Sequence, residues 1–286
     1  MSTNIVEPLA EGMTRVWDMP EVIVDTNTEF QHLVIGKTSQ GVSLFCDNDR
    51  QSTEFSQLTY HEALLVPGLL LAREIERVLV IGSSEGVVSQ ISVAAGASVV
   101  DHVDIDQQAV ELCAEHLPYG YTSDELAAAV KQDGPIKVHY ADGWQYLIDA
   151  EKAGAKYDIV LVDLPDERPE FAQHNRLYEE EFLTRCRAVL ADGGVVICQA
   201  GCPTMWRNET LIRSMKRFGD IFGTTVYYGS DEHEWAFLFG MNDAEDGATE
   251  RMIERLKTLP YRPETIDADA LRGCTVPPYR VRKALA

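Results

Sequence analysis

The sequence predicts an α/β protein: a Rossmann-like, doubly wound and mostly parallel sheet of the class I methyltransferase type, with a small N-terminal antiparallel β domain. Four β-branched apolar runs, RVLVIG, VVDHVDI, IKVHYA and YDIVLVDL, alternate with segments of helical length. Strands spaced by helices join through right-handed crossovers into a parallel sheet. Before them, residues 21–46 show the short alternation of an antiparallel sheet, with GKTSQG as a turn between β-branched flanks.

The elements follow in that order. EVIVDT and the two flanks of GKTSQG are N-terminal strands. Residues 58–72 (LTYHEALLVPGLLLA) are apolar with a helical period, and Pro67 marks either a kink or a second helix start. RVLVIG is then followed by the helix in SSEGVVSQISVAAG, VVDHVDI by DQQAVELCAEHL, and IKVHYA by DGWQYLIDAEKAG. YDIVLVDL leads through a loop to a helix over 179–189. GVVICQA, TTVYYG and WAFLFGM are the last strands, and the polar stretch 242–249 connects to a helix over 250–259. The expected division is 1–58 for the β domain and 59–286 for the Rossmann-like domain with its helical tail. Ligands of such sheets bind at the carboxyl ends of the strands, so the residues just after each strand are the candidates for function.

With 286 residues, 45% of them hydrophobic, the chain can bury a substantial core. Its formal charge of −21 disfavours nucleic acid and anionic membranes and favours small cations, although solubility alone accounts for an acidic chain equally well. The six cysteines form no CxxC pair and the seven histidines no HxH or HExxH spacing, so reduced thiols, no metal site and no prosthetic group are expected. No basic-then-apolar leader and no apolar run of about 18 residues occur, which makes the cytoplasm the expected location.

Three strand ends describe one nucleoside. Gly82, Ser83, Ser84, Glu85 and Gly86 form a turn whose glycines let backbone approach a ligand at a helix N-terminus, yet they do not supply the GxGxxG of a dinucleotide site. Asp104, about 20 residues on, is placed to accept from ribose hydroxyls. Asp142, beside Gly143, suits a hydrogen bond from an adenine amino group. Asp106 and Asp142 are equally able to cap the helices that follow them.

With these residues in view, the chain resembles the spermidine synthases and their aminopropyltransferase relatives. Thr59, Tyr60, His61 and Glu62, the turn GSSEG, VDID, LCAEHLP, ADGWQYL, YDIVLVDLPD and VICQAG keep that family's order and spacing from about residue 30 to 240. CTVPPYRVRKAL resembles its closing helix. The resemblance implies decarboxylated S-adenosylmethionine as co-substrate, held at Gln31, Gln51, Gly82, Glu85, Asp104, Asp142 and Gly143. It implies a small cationic amine as the other substrate, putrescine to spermidine being the default, and a homodimer. Asp163 is the catalytic candidate, orienting the attacking nitrogen and accepting its proton late, with Tyr60 acting beside it. Tyr60, His61, Asp163, Asp166 and Gln199 are the amine-binding candidates. Glu85 has a physical role: an acid there repels the carboxylate of intact S-adenosylmethionine and attracts the ammonium that decarboxylation leaves.

Three departures stand out. Ser83 and Ser84 replace two glycines of the family's turn, and Glu167 stands where its loop has proline, followed by Arg168, Pro169 and Glu170. After Tyr228 the tyrosine-bearing wall of the amine channel is shortened to a segment with Asp231, Glu232, Glu234 and Trp235, read either as a new wall or as a solvated hairpin. Methylation on the same scaffold and a non-catalytic adenosyl-binding subunit are the alternatives.

Overall fold

The computed structural model describes residues 3–165, 167, 173–201, 207–230 and 234–286; Asp166, Arg168, Pro169, Glu170, Asp231 and Glu232 lie outside the described residues. The chain opens with an antiparallel ribbon, β1 (Thr3–Ala10) and β2 (Met13–Met19). Polar residues interrupt both of its faces, which is why alternation does not announce it. A four-stranded antiparallel sheet follows in the order β3 (Glu21–Asn27), β4 (His32–Thr38), β5 (Gly41–Cys46) and β6 (Asp49–Thr53). Asp47 and Asn48 join the last two with φ of 50° and 68°, the left-handed pair that a tight hairpin requires and that these side chains tolerate.

α1 (Gln57–Leu71) is a single helix with Pro67 inside it, not two helices. The alternation of strand and helix then runs β7 (Arg77–Gly82), α2 (Val87–Ala94), β8 (Val99–Asp104), α3 (Gln107–His116) and α4 (Ser123–Val130). It continues with β9 (Ile136–Tyr140), α5 (Gly143–Lys152), β10 (Tyr157–Asp163), a 3-10 turn (Gln173–Tyr178) and α6 (Glu180–Ala188). β11 (Leu190–Gln199), α7 (Glu209–Ile221), β12 (Thr224–Gly229), β13 (Ala236–Met241), α8 (Ala248–Leu256), α9 (Ala268–Cys274) and α10 (Tyr279–Leu285) complete it. α4, α7 and α9 add to the helices read from sequence. α4 is declared only by its capping box, in which Thr122 and Glu125 satisfy each other's backbone N–H groups.

The seven strands lie in the order β12-β13-β11-β10-β7-β8-β9. All their pairings are parallel except those of β13, which runs antiparallel to both β11 and β12. From β7 the sheet grows first through β8 and β9, then on the other side through β10, so the strand order reverses at β7. Val78 and Val80 of β7 pack into the core on one face, Leu79 and Ile81 into the core on the other, as the two-residue strand period demands.

α1 lies in the first of these cores, with residues 61 to 71 all buried, which explains its lack of a polar stripe. A Cβ on Gly68 would stand 2.3 Å from Cδ1 of Ile197, so glycine lets α1 lie against β11. Glu62 is fully buried in this apolar setting and is completely answered. It accepts from the Tyr261 hydroxyl at 2.6 Å, the Glu264 N–H at 2.9 Å, and the Thr265 N–H and hydroxyl at 2.7 and 2.6 Å.

Candidate active site

A cleft opens at the carboxyl ends of β7, β8 and β10, where the strand order reverses, and Phe30, Gln31, Leu44 and Cys46 of the N-terminal sheet wall it on one side. Its floor is the turn after β7. Gly82 has φ of 83°, and a Cβ there would meet the carbonyl oxygen of Asp163 at 2.1 Å, so no other residue fits. Ser83 also takes a left-handed backbone, with φ of 62°, a conformation that glycine adopts without the cost a side chain brings. Ser84 turns its bulk to use: its hydroxyl donates to Oδ2 of Asp104 at 2.8 Å.

Asp104 ends β8 with its other oxygen accepting the Asp106 N–H at 2.8 Å. Burial pushes its carboxyl up to about 6 against the lowering effect of these two donors, and the charges of Asp106 and Glu85 add to the rise. Asp106 caps α3 through the Ala109 N–H and also binds the N-terminal sheet, accepting from Gln31 Nε2 at 2.9 Å and the Thr28 hydroxyl at 2.6 Å. Gln31 thus reaches the cleft through its bond to Asp106. Asp142 has a capping role of the same kind. It caps α5 by accepting the Trp144 N–H at 2.8 Å, while it lines the cleft and accepts from Arg176. Gly143 follows it on the wall, and Gln51 also lines the cleft, its amide donating to the Asp49 carbonyl at 3.2 Å.

Asp163 ends β10 and accepts a 2.6 Å hydrogen bond from the Tyr60 hydroxyl. Burial, helped by the charges of Glu85 and Asp104, raises its carboxyl to about 7 despite that bond. Burial and the Asp163 charge drive the Tyr60 phenol well above its usual range, so it stays a donor. Edge-on packing fixes the ring, with Trp235, Phe237 and His61 centred 5.0, 5.3 and 5.3 Å away. Glu85 is 8% exposed on the cleft wall, and among the described residues no hydrogen bond or ion pair reaches its carboxylate. The buried His61 nearby has its pKa lowered by burial and is not on the cleft wall.

A smaller cavity adjoins the cleft across Gln51, Tyr60, Leu164 and Pro165. Gln199, at the end of β11, lines it and accepts the Gly201 N–H at 3.2 Å. The described part of the shortened segment is no solvated hairpin: Glu234 pairs with Arg15 and Arg50, and Trp235 lines the cavity. Glu167 is held by Arg217 of α7 through two 3.0 Å bonds, which pins the loop after β10 to that helix.

Sequence reasoning missed the partners. Arg15, Arg50 and Arg176 carry no motif, each being identified by what it meets across the fold, and Ser84 stands in the turn motif without its bond to Asp104 being legible. The 3-10 turn that delivers Arg176 is too short for periodicity to report.

Residues 57–229 match the model of the spermine/spermidine synthase domain family. The polyamine aminopropyltransferase of Prochlorococcus marinus is 28% identical over 263 residues, covering 89% of this chain and 83% of the relative. That of Pyrobaculum calidifontis is 30% identical over 201 residues, covering 69% and 67%. A crystal structure of spermidine synthase in complex with the transition-state analogue AdoDATO superposes with a TM-score of 0.85 at 18% identity, covering 99% of this chain and 94% of that one. The spermidine synthase of Thermotoga maritima does so at 0.83 and 17%, with the same coverage. The fold is therefore that of the spermidine synthases, and the match to the family's domain over more than half of the sequence establishes that the chain belongs to the spermine/spermidine synthase family.

Proposed function

We propose that this protein transfers the aminopropyl group of decarboxylated S-adenosylmethionine to a primary amine, releasing methylthioadenosine. The observation that carries the reading is Glu85: a buried carboxylate on the cleft wall, without a cationic partner among the described residues, between the acids Asp104 and Asp163. Such a group disfavours a ligand carboxylate and favours an ammonium, and decarboxylation makes that exchange in the donor. In this reading Asp104 accepts from the ribose, Asp142 and Gly143 face the adenine, and Gln31 and Gln51 close the donor in.

The chemistry falls to Asp163 and Tyr60. The phenol holds Oδ1 of Asp163, leaving Oδ2 to orient the amine in line with the carbon attached to sulfur. The C–N bond forms as the C–S bond breaks, and the surplus proton passes to Asp163. An alkylammonium near pKa 10.4 and an ordinary carboxylate differ by roughly 6 units, or about 8 kcal/mol. With Asp163 raised to about 7 the gap narrows to roughly 3 units, about 4 kcal/mol, so removal of the proton as the bond forms becomes feasible.

Calorimetric titration with decarboxylated and intact S-adenosylmethionine tests the donor without an acceptor. The decarboxylated form is expected to bind at least about tenfold more tightly. Preference for the intact form would move the protein to methyl transfer, and binding of neither would make it a non-catalytic relative. Putrescine is the first acceptor to assay for methylthioadenosine release, with Asp166 and Gln199 as further candidate contacts.

A further inference from the structure

The turn that carries Glu85 is held from behind by two residues that do not line the cleft. Ser83 takes a left-handed backbone between Gly82 and the left-handed Gly86, and a side chain keeps that conformation only where its surroundings enforce it. The enforcing bonds run along the whole turn. The Gly82 carbonyl lies 2.8 Å from Nε2 of His102, and the Ser83 N–H donates to the Asp163 carbonyl at 3.1 Å. Ser84 donates to Asp104, and the Glu85 carbonyl accepts the Tyr121 N–H at 2.9 Å.

His102 stands two residues before Asp104, hence on the same face of β8, and is fully buried. Its Nδ1 is 2.9 Å from the Tyr121 hydroxyl. A carbonyl oxygen only accepts, so Nε2 carries the proton of the ring; Nδ1 is then an acceptor, and the phenol donates to it. Burial lowers the pKa of this imidazole to about 4, which keeps the ring neutral near pH 7. Tyr121, 2% exposed in the link between α3 and α4, also packs against the far end of the turn. A Cβ on Gly86 would stand 2.2 Å from its ring, and one on Gly120 would stand 2.1 Å from the Glu85 carbonyl oxygen. The Tyr121 hydroxyl, the imidazole and the Gly82–Ser83 peptide thus form one line of hydrogen bonds that ends on the backbone of Asp163.

We infer that His102, with Tyr121 as its hydrogen-bond donor, is a positioning residue for the turn that presents Glu85, and so sets both the affinity for the sulfonium donor and the preference for its decarboxylated form. The inference rests on the donor site proposed above. Without the imidazole the Gly82 carbonyl loses a buried hydrogen-bond donor, and the Gly82–Ser83 peptide is released to turn toward another, taking Glu85 off its aim. The Asp163 side chain keeps its bond from Tyr60, so the loss falls on donor binding more than on the chemical step.

The test uses the full-length protein, calorimetry with methylthioadenosine and both forms of S-adenosylmethionine, and steady-state kinetics with putrescine. His102→Leu should raise the Kd of methylthioadenosine and the KM of the decarboxylated donor about tenfold, with kcat at saturating donor kept within about threefold. The preference for the decarboxylated form should fall at least about threefold. His102→Gln, whose amide N–H reaches the same carbonyl, should recover most of the loss. Tyr121→Phe keeps the ring against Gly86 and should weaken donor binding about threefold. Added to His102→Leu it should cost nothing further, because both act through one line of bonds. Nitrogen NMR of the labelled imidazole should show the Nε2-protonated tautomer in wild type and a mixture in Tyr121→Phe, and these two measurements decide the matter if His102→Leu does not fold. Unchanged donor affinity in Tyr121→Phe or in a folded His102→Leu, equal losses in the Leu and Gln variants, or an Nδ1-protonated ring in wild type would overturn the inference alone. Refusal of both donors by wild type would sink the proposed function, and the inference with it.

Discussion

Replacing Asp163 by asparagine should make the unliganded protein more stable and less active, and the size of the first effect follows from the site. Asparagine keeps an oxygen to accept the Tyr60 hydroxyl, so the geometry at β10 is preserved while the charge is lost. Asp163 is raised to about 7 in the folded protein against an ordinary value near 3.9. An acid with a higher pKa folded than unfolded holds its proton longer in the folded state. Its stabilising contribution is full below about pH 4 and is lost as pH rises through about 7. A rise of roughly 3 units corresponds to about 4 kcal/mol, an upper bound because the carboxyl opens to the cleft and is reached by water. If about half is realised, Asp163→Asn should unfold some 4–8 °C above wild type at pH 8 and within about 2 °C of it at pH 4. Thermal unfolding followed by circular dichroism at the two pH values measures this. An equal difference at both pH values, or a wild type more stable at pH 8, would refute the account of a strained carboxyl. Turnover should fall about a thousandfold in the same variant, with donor affinity largely retained.

Glu85→Gln should cost the discrimination between donors: the affinity ratio of decarboxylated to intact S-adenosylmethionine, measured by calorimetry, is expected to collapse from at least about tenfold to near unity. Ser84→Ala removes a donor that lowers the Asp104 pKa, so that value should climb above about 6. Methylthioadenosine affinity, which needs the ionised carboxylate, is expected to weaken at a higher pH than in wild type as the solution is acidified. Calorimetric titrations between pH 5 and 8 would show a midpoint displaced upward by about half a unit or more. Glu62→Ala leaves the four donors of Tyr261, Glu264 and Thr265 without their buried acceptor and should destabilise the protein by about 3 kcal/mol. Denaturant unfolding gives the loss, and faster amide exchange at Glu264 and Thr265 locates it.

The parallel sheet was legible because its strands are buried on both faces and therefore continuous in the sequence, as RVLVIG and YDIVLVDL are. The acids at their ends, Asp104, Asp142 and Asp163, were legible for a topological reason: the carboxyl ends of parallel strands face one crevice. The ribbon of β1 and β2 escaped notice because polar residues interrupt its alternation and its tie to the rest of the fold, Arg15 to Glu234, joins residues 219 positions apart. The same limit applied within the site. That Asp142 is engaged by Arg176 and Asp104 by Ser84 depends on which strands become neighbours, and no local period encodes it. Glu62 was noticed as one letter of a motif beside Tyr60, whereas its hydrogen bonds give it a structural task in the core.

The ties of Glu62 also impose an order on synthesis. Its donors at residue 265 lie 203 positions further along the chain, so α1 leaves the ribosome long before its carboxylate can be answered. Until that segment arrives, burying α1 would bury an unpaired charge, and the helix must remain at least partly hydrated. Tyr60 rides on the same helix two residues earlier, so its hydroxyl is brought to Asp163 only once the segment around residue 265 has been made. A nascent chain with its strands formed but that segment still missing thereby lacks the Tyr60–Asp163 pair, and residues 261–265 act as the seal that assembles it.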